Sequence, residues 1–446
     1  MVAARGEFSS RFGFLMAASG SAVGLGNIWG FPTQAASNGG AAFLFTYLIL
    51  AFALAYPALM AELIIGRHAR ANAVTALQAI SPSTNGKLFG LVVGFFGITT
   101  VSFILSFYAI VSGWMIAFFI EPMARLLGAD SVSAWLTNDA VLRNGFFVVV
   151  FMLLTVWIIS AGVKDGIEKW ASRLMPSLIL ILFLLIVYVL TLPGAMEGLK
   201  AYLLPDFSRV FDPDLLVSAM GQAFFSLSLG VGTMLIYGSY IPKHENLPVV
   251  GGLVAVLDIG IAVMAGMLIL PAMYVALANG VPIFDDGGGL IAGPRLIISV
   301  LPALFTSMGF IGIFVALAFF ALMTIASLTS SISMLEVPVA YSVEHHGIRR
   351  KTSAIVLGAL ITIISLVIVF NFDALFDLVV TYTTEISQPL LGLAFCIFGG
   401  WIWNRNEILE EIKQGSPDAE SGLFWKVWPF YIKFICPVAI LIVYFQ

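Results

Sequence analysis

The stretch GSAVGLGN (Gly20–Asn27) lies inside an apolar run, residues 10–36, that is long enough to cross a bilayer. A second stretch, SLSLGVG (Ser226–Gly232), sits in a comparable place within the run 214–240. Glycine costs a helix interior ~1 kcal/mol relative to alanine. A Gly-x-Gly at mid-membrane depth, flanked by hydroxyl and amide side chains, therefore calls for a reason. Close helix–helix packing supplies one. A break in the helix supplies another, and the pairing of the two stretches favours it. Gly24 and Gly230 are 206 residues apart, with five apolar runs from one to the next. An odd number of spans per unit turns the second copy over, as in inverted repeats whose broken helices meet at the midplane.

The rest of the chain supports a membrane setting. Of its 446 residues 60% are apolar and 10% charged, with a mean hydropathy of +1.02. Soluble domains carry ~25% charge, so a water-soluble globule is excluded. Eleven apolar runs fall near 10–36, 40–66, 88–121, 144–161, 167–193, 214–240, 247–277, 308–341, 352–371, 375–403 and 427–446. The predicted class is an all-α membrane protein with eleven transmembrane helices, of which the first and sixth are broken. Its parts are a first repeat over 1–193, a second over 194–403, and an inner loop with the last helix over 404–446. The net charge of −4 with no basic face argues against a nucleic-acid partner. Cys396 and Cys436 read as buried small hydrophobes, with neither a disulfide framework nor a metal cluster.

Fifteen Lys and Arg residues fall in one set of alternate loops and five in the other, Lys433 being inside the last run. The positive-inside rule places the amino terminus in the cytoplasm and Gln446 outside. No Asn-x-Ser/Thr sequon occurs, which leans towards a bacterial cytoplasmic membrane.

A helix unwound in hydrocarbon exposes N–H and C=O groups that cost several kcal/mol each unless satisfied. The half-helix starting after a break offers N–H groups to a carboxylate, and the one ending before it offers carbonyl oxygens to cations. A zwitterionic amino acid together with Na⁺ satisfies both ends. Backbone carbonyls, Asn, Ser and Thr are hard oxygen donors suited to Na⁺.

The motifs SRFGFLMAASGSAVGLGNIWGFP (Ser10–Pro32), NGGAAF (Asn38–Phe43), GQAFFSLSLGVG (Gly221–Gly232), YGSY (Tyr237–Tyr240) and SLTSSIS (Ser327–Ser333) resemble those of the neurotransmitter:sodium symporter family, over essentially the whole chain. Its bacterial amino-acid transporters have a five-plus-five inverted-repeat fold. The resemblance implies two sodium sites. The first takes the Ala22 carbonyl, Asn27, Ser226, Asp258 and the substrate carboxylate. The second takes the carbonyls of Gly20, Val23 and Ala326 with the hydroxyls of Thr329 and Ser330. It also implies a substrate pocket. The N–H groups of Leu25 and Gly26 and the Tyr108 hydroxyl would hold the carboxylate. The carbonyls of Ala22, Phe225 and Ser226, plus Ser228, would hold the amine. Ile104, Tyr108, Phe225, Ser228, Val231, Ser330 and Met334 would line the side-chain subsite. With no charged residue among them, a neutral apolar or aromatic L-amino acid is expected. Val231 stands where many relatives carry an aromatic ring, which leaves room for a larger side chain.

The departures are equally specific. Relatives usually carry Arg at the position of Gly30, paired with an Asp in the tenth span. Here that stretch reads VVTYTTE (Val379–Glu385), with Asp377 and Glu385 a turn to either side. An outer gate of Tyr108, Phe225 and Gln34 is expected instead. Arg5 and Glu344 match an inner-gate ion pair, with Phe8 and Tyr240 packed nearby. Gly166 and Pro176 resemble a motif for local unwinding of the fifth helix. Tyr47, Gln222 and Ser226 match chloride-binding residues of animal members, but Asp258 brings a fixed carboxylate and Ala262 no hydroxyl, so chloride-independent transport is expected.

The readings weighed against this one are a proton-coupled transporter of the same fold, a membrane-embedded enzyme and a channel. No Lys lies near Thr329–Ser330 to replace a sodium ion, and no His-Glu-x-x-His or Gly-x-Ser-x-Gly motif is present. The expected partners are a small amino acid, Na⁺ and the lipid bilayer, with no obligate protein partner.

Overall fold

The computed structural model describes residues 6–204, 210–285, 290–291 and 296–445. Among them every regular element is helical, apart from isolated bridge positions at Gly40, Phe284 and Leu290, of which the last two pair antiparallel. The long elements, in chain order, are α1 (Arg11–Ala22), α2 (Gly26–Ser37), α3 (Ala41–Ala69), α4 (Thr84–Leu126), α5 (Val141–Ser160), α6 (Val163–Val189), α7 (Pro213–Ser226), α8 (Thr233–Gly238), α9 (Leu247–Ala278), α10 (Phe310–His346), α11 (Arg350–Phe370), α12 (Phe372–Ile402) and α13 (Leu423–Tyr444). Among the described residues, nine of these are long and apolar enough to cross a membrane, and the bent pair α1–α2 makes a tenth. The run expected as the sixth, broken span, 214–240, is divided into α7 and α8. Neither half has the ~20 residues a crossing needs.

Several boundaries come from side-chain caps. The hydroxyl of Ser10 accepts from the Gly13 N–H and starts α1, Ser83 does the same for α4, and Asn246 for α9. These side chains satisfy N–H groups that a helix start leaves without partners. Gly347, with φ of 65°, follows the last residue of α10 in the left-handed conformation that glycine adopts at little steric cost. Prolines stand inside long helices, Pro122 in α4, Pro271 in α9 and Pro338 in α10. Membrane helices tolerate this because neighbours re-satisfy the freed carbonyls.

Large apolar side chains such as Leu153, Leu184, Leu360 and Phe434 point outwards and are exposed, as lipid-facing surfaces require. The core is apolar too, but a polar seam runs through it. Ser19, Ser21, Asn27, Ser226, Asp258 and Ser330 are all buried. They cluster where α1 and α2 meet α6, α9 and α10. The helix α7, whose last residue is Ser226, packs on α3 and α13, and α8 on α3.

Candidate functional site

The two interruptions arise differently. After Ala22 the chain leaves helical geometry at Val23 (φ −71°, ψ 102°) and resumes at Gly26, with a 61° bend. Neither Gly24 nor Gly26 has a positive φ; each is required for space. A Cβ on Gly24 would lie 3.0 Å from the Tyr108 hydroxyl, and one on Gly26 would lie 2.4 Å from the Phe225 ring. The second gap runs over 227–232, starting earlier than the Gly-x-Gly suggests. Here Gly230 (φ 84°) and Gly232 (φ 77°) are left-handed, where glycine escapes a Cβ clash. Ser228 shares that conformation at φ 52° and donates its hydroxyl to the Ser21 carbonyl at 3.0 Å. The two gaps therefore touch.

Beside the first gap lies a tight polar knot. Asn27 Nδ2 donates to Asp258 Oδ1 and to Ser226 Oγ, each at 2.7 Å. Ser226 Oγ donates to Asp258 Oδ2 at 2.6 Å, and the Tyr47 hydroxyl reaches Ser226 Oγ at 3.3 Å. Asp258 has 0% exposure, and among the described residues no basic side chain pairs with it. A buried carboxylate without a cation is costly, so the donor set fits Na⁺. Ligation through Asn27 Oδ1 beside Asp258 and Ser226 requires a turned carboxamide, since it is Nδ2 that faces both of them here. Gln222 Nε2 is buried and without a partner among the described residues.

The second expected sodium set also comes together. Ser330 Oγ lies 3.2 Å from the Gly20 carbonyl and 3.1 Å from that of Val23. Thr329 Oγ1 donates within its own helix, to Ala326 at 3.1 Å and Ile325 at 3.0 Å. A Cβ on Gly20 would stand 3.0 Å from Thr329 Cβ, so Gly20 is what lets α1 approach α10 here.

A cavity of about 120 Å³ adjoins both sets. It is lined by every expected substrate residue except Ser226, which lies behind it in the polar knot. The Leu25 N–H donates to the Tyr108 hydroxyl at 3.2 Å, so a carboxylate at that spot would meet both groups. Trp29, Val101, Phe107, Thr233 and Gln388 also line it, and sequence reasoning missed them. Among the described residues no charged side chain does so.

Of the expected outer gate, Phe225 is 44% exposed, and among the described residues no ring contact joins it to Tyr108. Gln34 is exposed and accepts from Asn38 Nδ2 at 3.1 Å, outside the cavity lining. A Cβ on Gly30 would meet open space, and among the described residues neither Asp377 nor Glu385 joins an ion pair.

At the other end, the Phe8 N–H donates to the Tyr240 carbonyl at 3.1 Å, and its ring packs edge-on against Tyr240 and Tyr237. Glu344 accepts from Asn72 N–H at 2.7 Å and Asn72 Nδ2 at 3.0 Å. Arg5 lies outside the described residues. Gly166 and Pro176 are both within the continuous helix α6, so the motif is wound in this conformation, its start as a wide π turn over Val163–Glu168.

Four buried carboxylates among the described residues escaped the sequence reading, and two of them, Glu62 and Glu336, lie well inside apolar helices. Glu62 Oε1 accepts from the Gly230 N–H in the second gap at 2.8 Å, while its Oε2 has no partner among the described residues. Glu336 accepts from the Tyr240 hydroxyl at 2.5 Å and from both terminal guanidinium nitrogens of Arg350. The available signal was an isolated Glu within an apolar span, which is rare and marks function or pairing.

The sodium:neurotransmitter symporter family description matches residues 5–146 and 141–446. The chain belongs to that family. YhdH of Bacillus subtilis, described as an uncharacterized sodium-dependent transporter, is 32% identical over 98% of this chain and 96% of its own length. The rat sodium- and chloride-dependent taurine transporter is 26% identical over 92% of this chain and 73% of that one. A crystal structure of MhsT in complex with L-phenylalanine superposes with a TM-score of 0.83, at 36% identity and 99% coverage of both chains. This symporter-family chain is thus a multi-pass membrane transporter, not an enzyme.

Proposed function

We propose that this chain couples Na⁺ entry to uptake of neutral hydrophobic or aromatic L-amino acids across a bacterial cytoplasmic membrane, by alternating access and without chloride. The observation that carries the proposal is the contact between the two gaps. It sets free helix-end groups, the Asn27–Ser226–Asp258 knot and an uncharged cavity side by side. The phenylalanine bound to MhsT supports the aromatic assignment.

In this reading residues 1–193 and 194–403 are inverted repeats, 404–446 complete the fold with an eleventh helix, and the amino terminus is cytoplasmic. Two Na⁺ bind, one at the Asn27 knot and one between Gly20, Val23, Ala326, Thr329 and Ser330. The substrate carboxylate sits at Leu25, Gly26 and Tyr108 and joins the first ion's ligands. Asp258 provides a fixed negative charge where chloride would otherwise stand. Phe225 closes the outer side with Tyr108. Phe8, Tyr240 and an Arg5–Glu344 pair close the inner side, and unwinding between Gly166 and Pro176 lets water reach the second ion.

Two Na⁺ falling through ~100 mV release ~4.6 kcal/mol, and a tenfold gradient adds ~1.4 kcal/mol per ion. The total of ~7 kcal/mol sustains roughly 10⁵-fold accumulation. Uptake of a panel of labelled amino acids into proteoliposomes tests the proposal, with Na⁺ replaced by choline and chloride by gluconate. Uptake of Phe, Leu or Trp should vanish without Na⁺ and persist without chloride. Uptake that survives in choline overturns the coupling, and exclusive uptake of charged amino acids overturns the substrate class.

A further inference from the structure

The cavity at the gaps shares a wall with a larger one. This second cavity, about 370 Å³, lies between α7, α12 and α13 and is lined mainly by carbon, including Phe224, Leu229, Pro389, Ile440 and Val443. Among the described residues only Phe225 and Gln388 line both spaces. Phe225 is partly exposed. Gln388 is buried and held, because its Nε2 donates at 3.0 Å to the carbonyl of Leu229 in the second gap.

The backbone around Gln388 reinforces this. A Cβ on Gly230 would stand 2.4 Å from the Gln388 carbonyl oxygen and 2.8 Å from the Gly392 nitrogen. The unwound segment 227–232 therefore leans directly on α12, with Gln388 bonded to one of its carbonyls and Glu62 to one of its N–H groups. Gln388 is the first residue of regular helix after the wide turn Thr381–Ser387.

We propose that Gln388 is a specificity-determining residue. Its side chain is the fixed partition that limits the depth of the substrate cavity, and the same side chain positions the second gap. The inference rests on the proposed amino-acid uptake at this site and deepens it. The size of residue 388 sets how strongly bulky aromatic amino acids are accepted relative to leucine, because removing it adds the neighbouring carbon-lined space. Volume changes in an apolar pocket shift discrimination by roughly 10–200-fold.

The test compares kcat/KM for Na⁺-dependent uptake of Trp and Leu in proteoliposomes. Gln388→Ala should raise the Trp/Leu ratio about tenfold. Gln388→Met keeps the bulk but loses the donor, so the ratio should stay near that of the parent, while KM for both substrates rises and kcat holds. In the Gln388→Ala background, Val443→Phe refills the neighbouring cavity and should return the ratio towards the parent value. Gln388→Ser provides the same opening should the alanine variant fail to fold. A ratio unchanged in a transporting Gln388→Ala or Gln388→Ser protein, or a gain that Val443→Phe does not reverse, overturns this inference alone. A parent protein that takes up neither amino acid overturns the transport reading and this inference with it.

Discussion

Glu168 holds Ser10. Its Oε1 accepts from the Ser10 N–H at 3.1 Å and from the Ser10 hydroxyl at 3.0 Å, and it also takes both donors of Ser9. Ser10 is the cap of α1, and Glu168 ends the wide turn that opens α6. The amino-terminal segment that packs Phe8 on Tyr240 is thus tied to the helix start containing Gly166. Unwinding there would move the carboxylate that restrains this end of α1.

Removing that tie should loosen the inner end of the protein. Hydrogen bonds to charged groups contribute about 1.5–3 kcal/mol each. Glu168→Ala should therefore speed amide exchange over residues 8–14 at least about tenfold, with weaker Na⁺ binding. Gly13→Ala should act alike, since its Cβ would stand 2.0 Å from Glu168 Oε1. Exchange mass spectrometry on the purified protein reads both, and unchanged protection in Glu168→Ala would remove the tie from the account.

Asp258→Asn preserves shape but deletes the buried charge. Na⁺ binding should weaken about tenfold or more, equivalent to ~1.4 kcal/mol, and chloride should partly restore it. Sodium titration in chloride and in gluconate measures this. A variant with parental Na⁺ affinity in gluconate would show that the carboxylate does not serve as the fixed anion.

Outside the membrane, Glu411 on the short helix Arg405–Lys413 ties that helix to the end of α3. Its carboxylate accepts from Arg67 Nε at 2.7 Å and Lys243 Nζ at 2.8 Å, and His68 Nδ1 lies 3.3 Å away. Burial by itself raises a carboxyl group, but the hydrogen bonds of His68 and Lys243 and the Arg67 charge hold it down at about 2, against an ordinary 4.5. A depressed carboxyl contributes stability in full above its unfolded value and loses it as pH falls towards the folded one. Thermal stability in detergent should therefore drop between pH 4.5 and 2 by more in the parent than in Glu411→Gln. Parallel pH profiles would contradict this assignment.

Asn27→Ala should raise the Na⁺ and amino-acid concentrations needed for half-maximal uptake together, by about tenfold each. Asn27 bridges Gly24, Ser226 and Asp258, so the ion and carboxylate sites share it. Loss of one affinity with the other preserved would separate the two sites.

Much of this was legible in the sequence, for local reasons. Gly24, Gly26, Gly230 and Gly232 mark both gaps, and the hydroxyl-rich SLTSSIS marks the α10 face that meets the first. The sequence does not say that Gly26 yields space to Phe225 while Gly230 adopts a left-handed turn. Space is a tertiary property, whereas a break alone is a local one. Glu62 was visible as an isolated charge in an apolar span, but its partner at Gly230 is 168 residues away. Gln388 carries no sequence signal at all. Its role comes from standing between two cavities, and only the packing of α7, α12 and α13 creates them.

The most direct measurement is thermodynamic linkage in the purified protein: titration of Na⁺ with and without saturating L-phenylalanine, and the reverse. If the ion and the carboxylate share ligands at the touching gaps, each should tighten the other by the same factor, about tenfold or more. Two binding curves that ignore each other would contradict it.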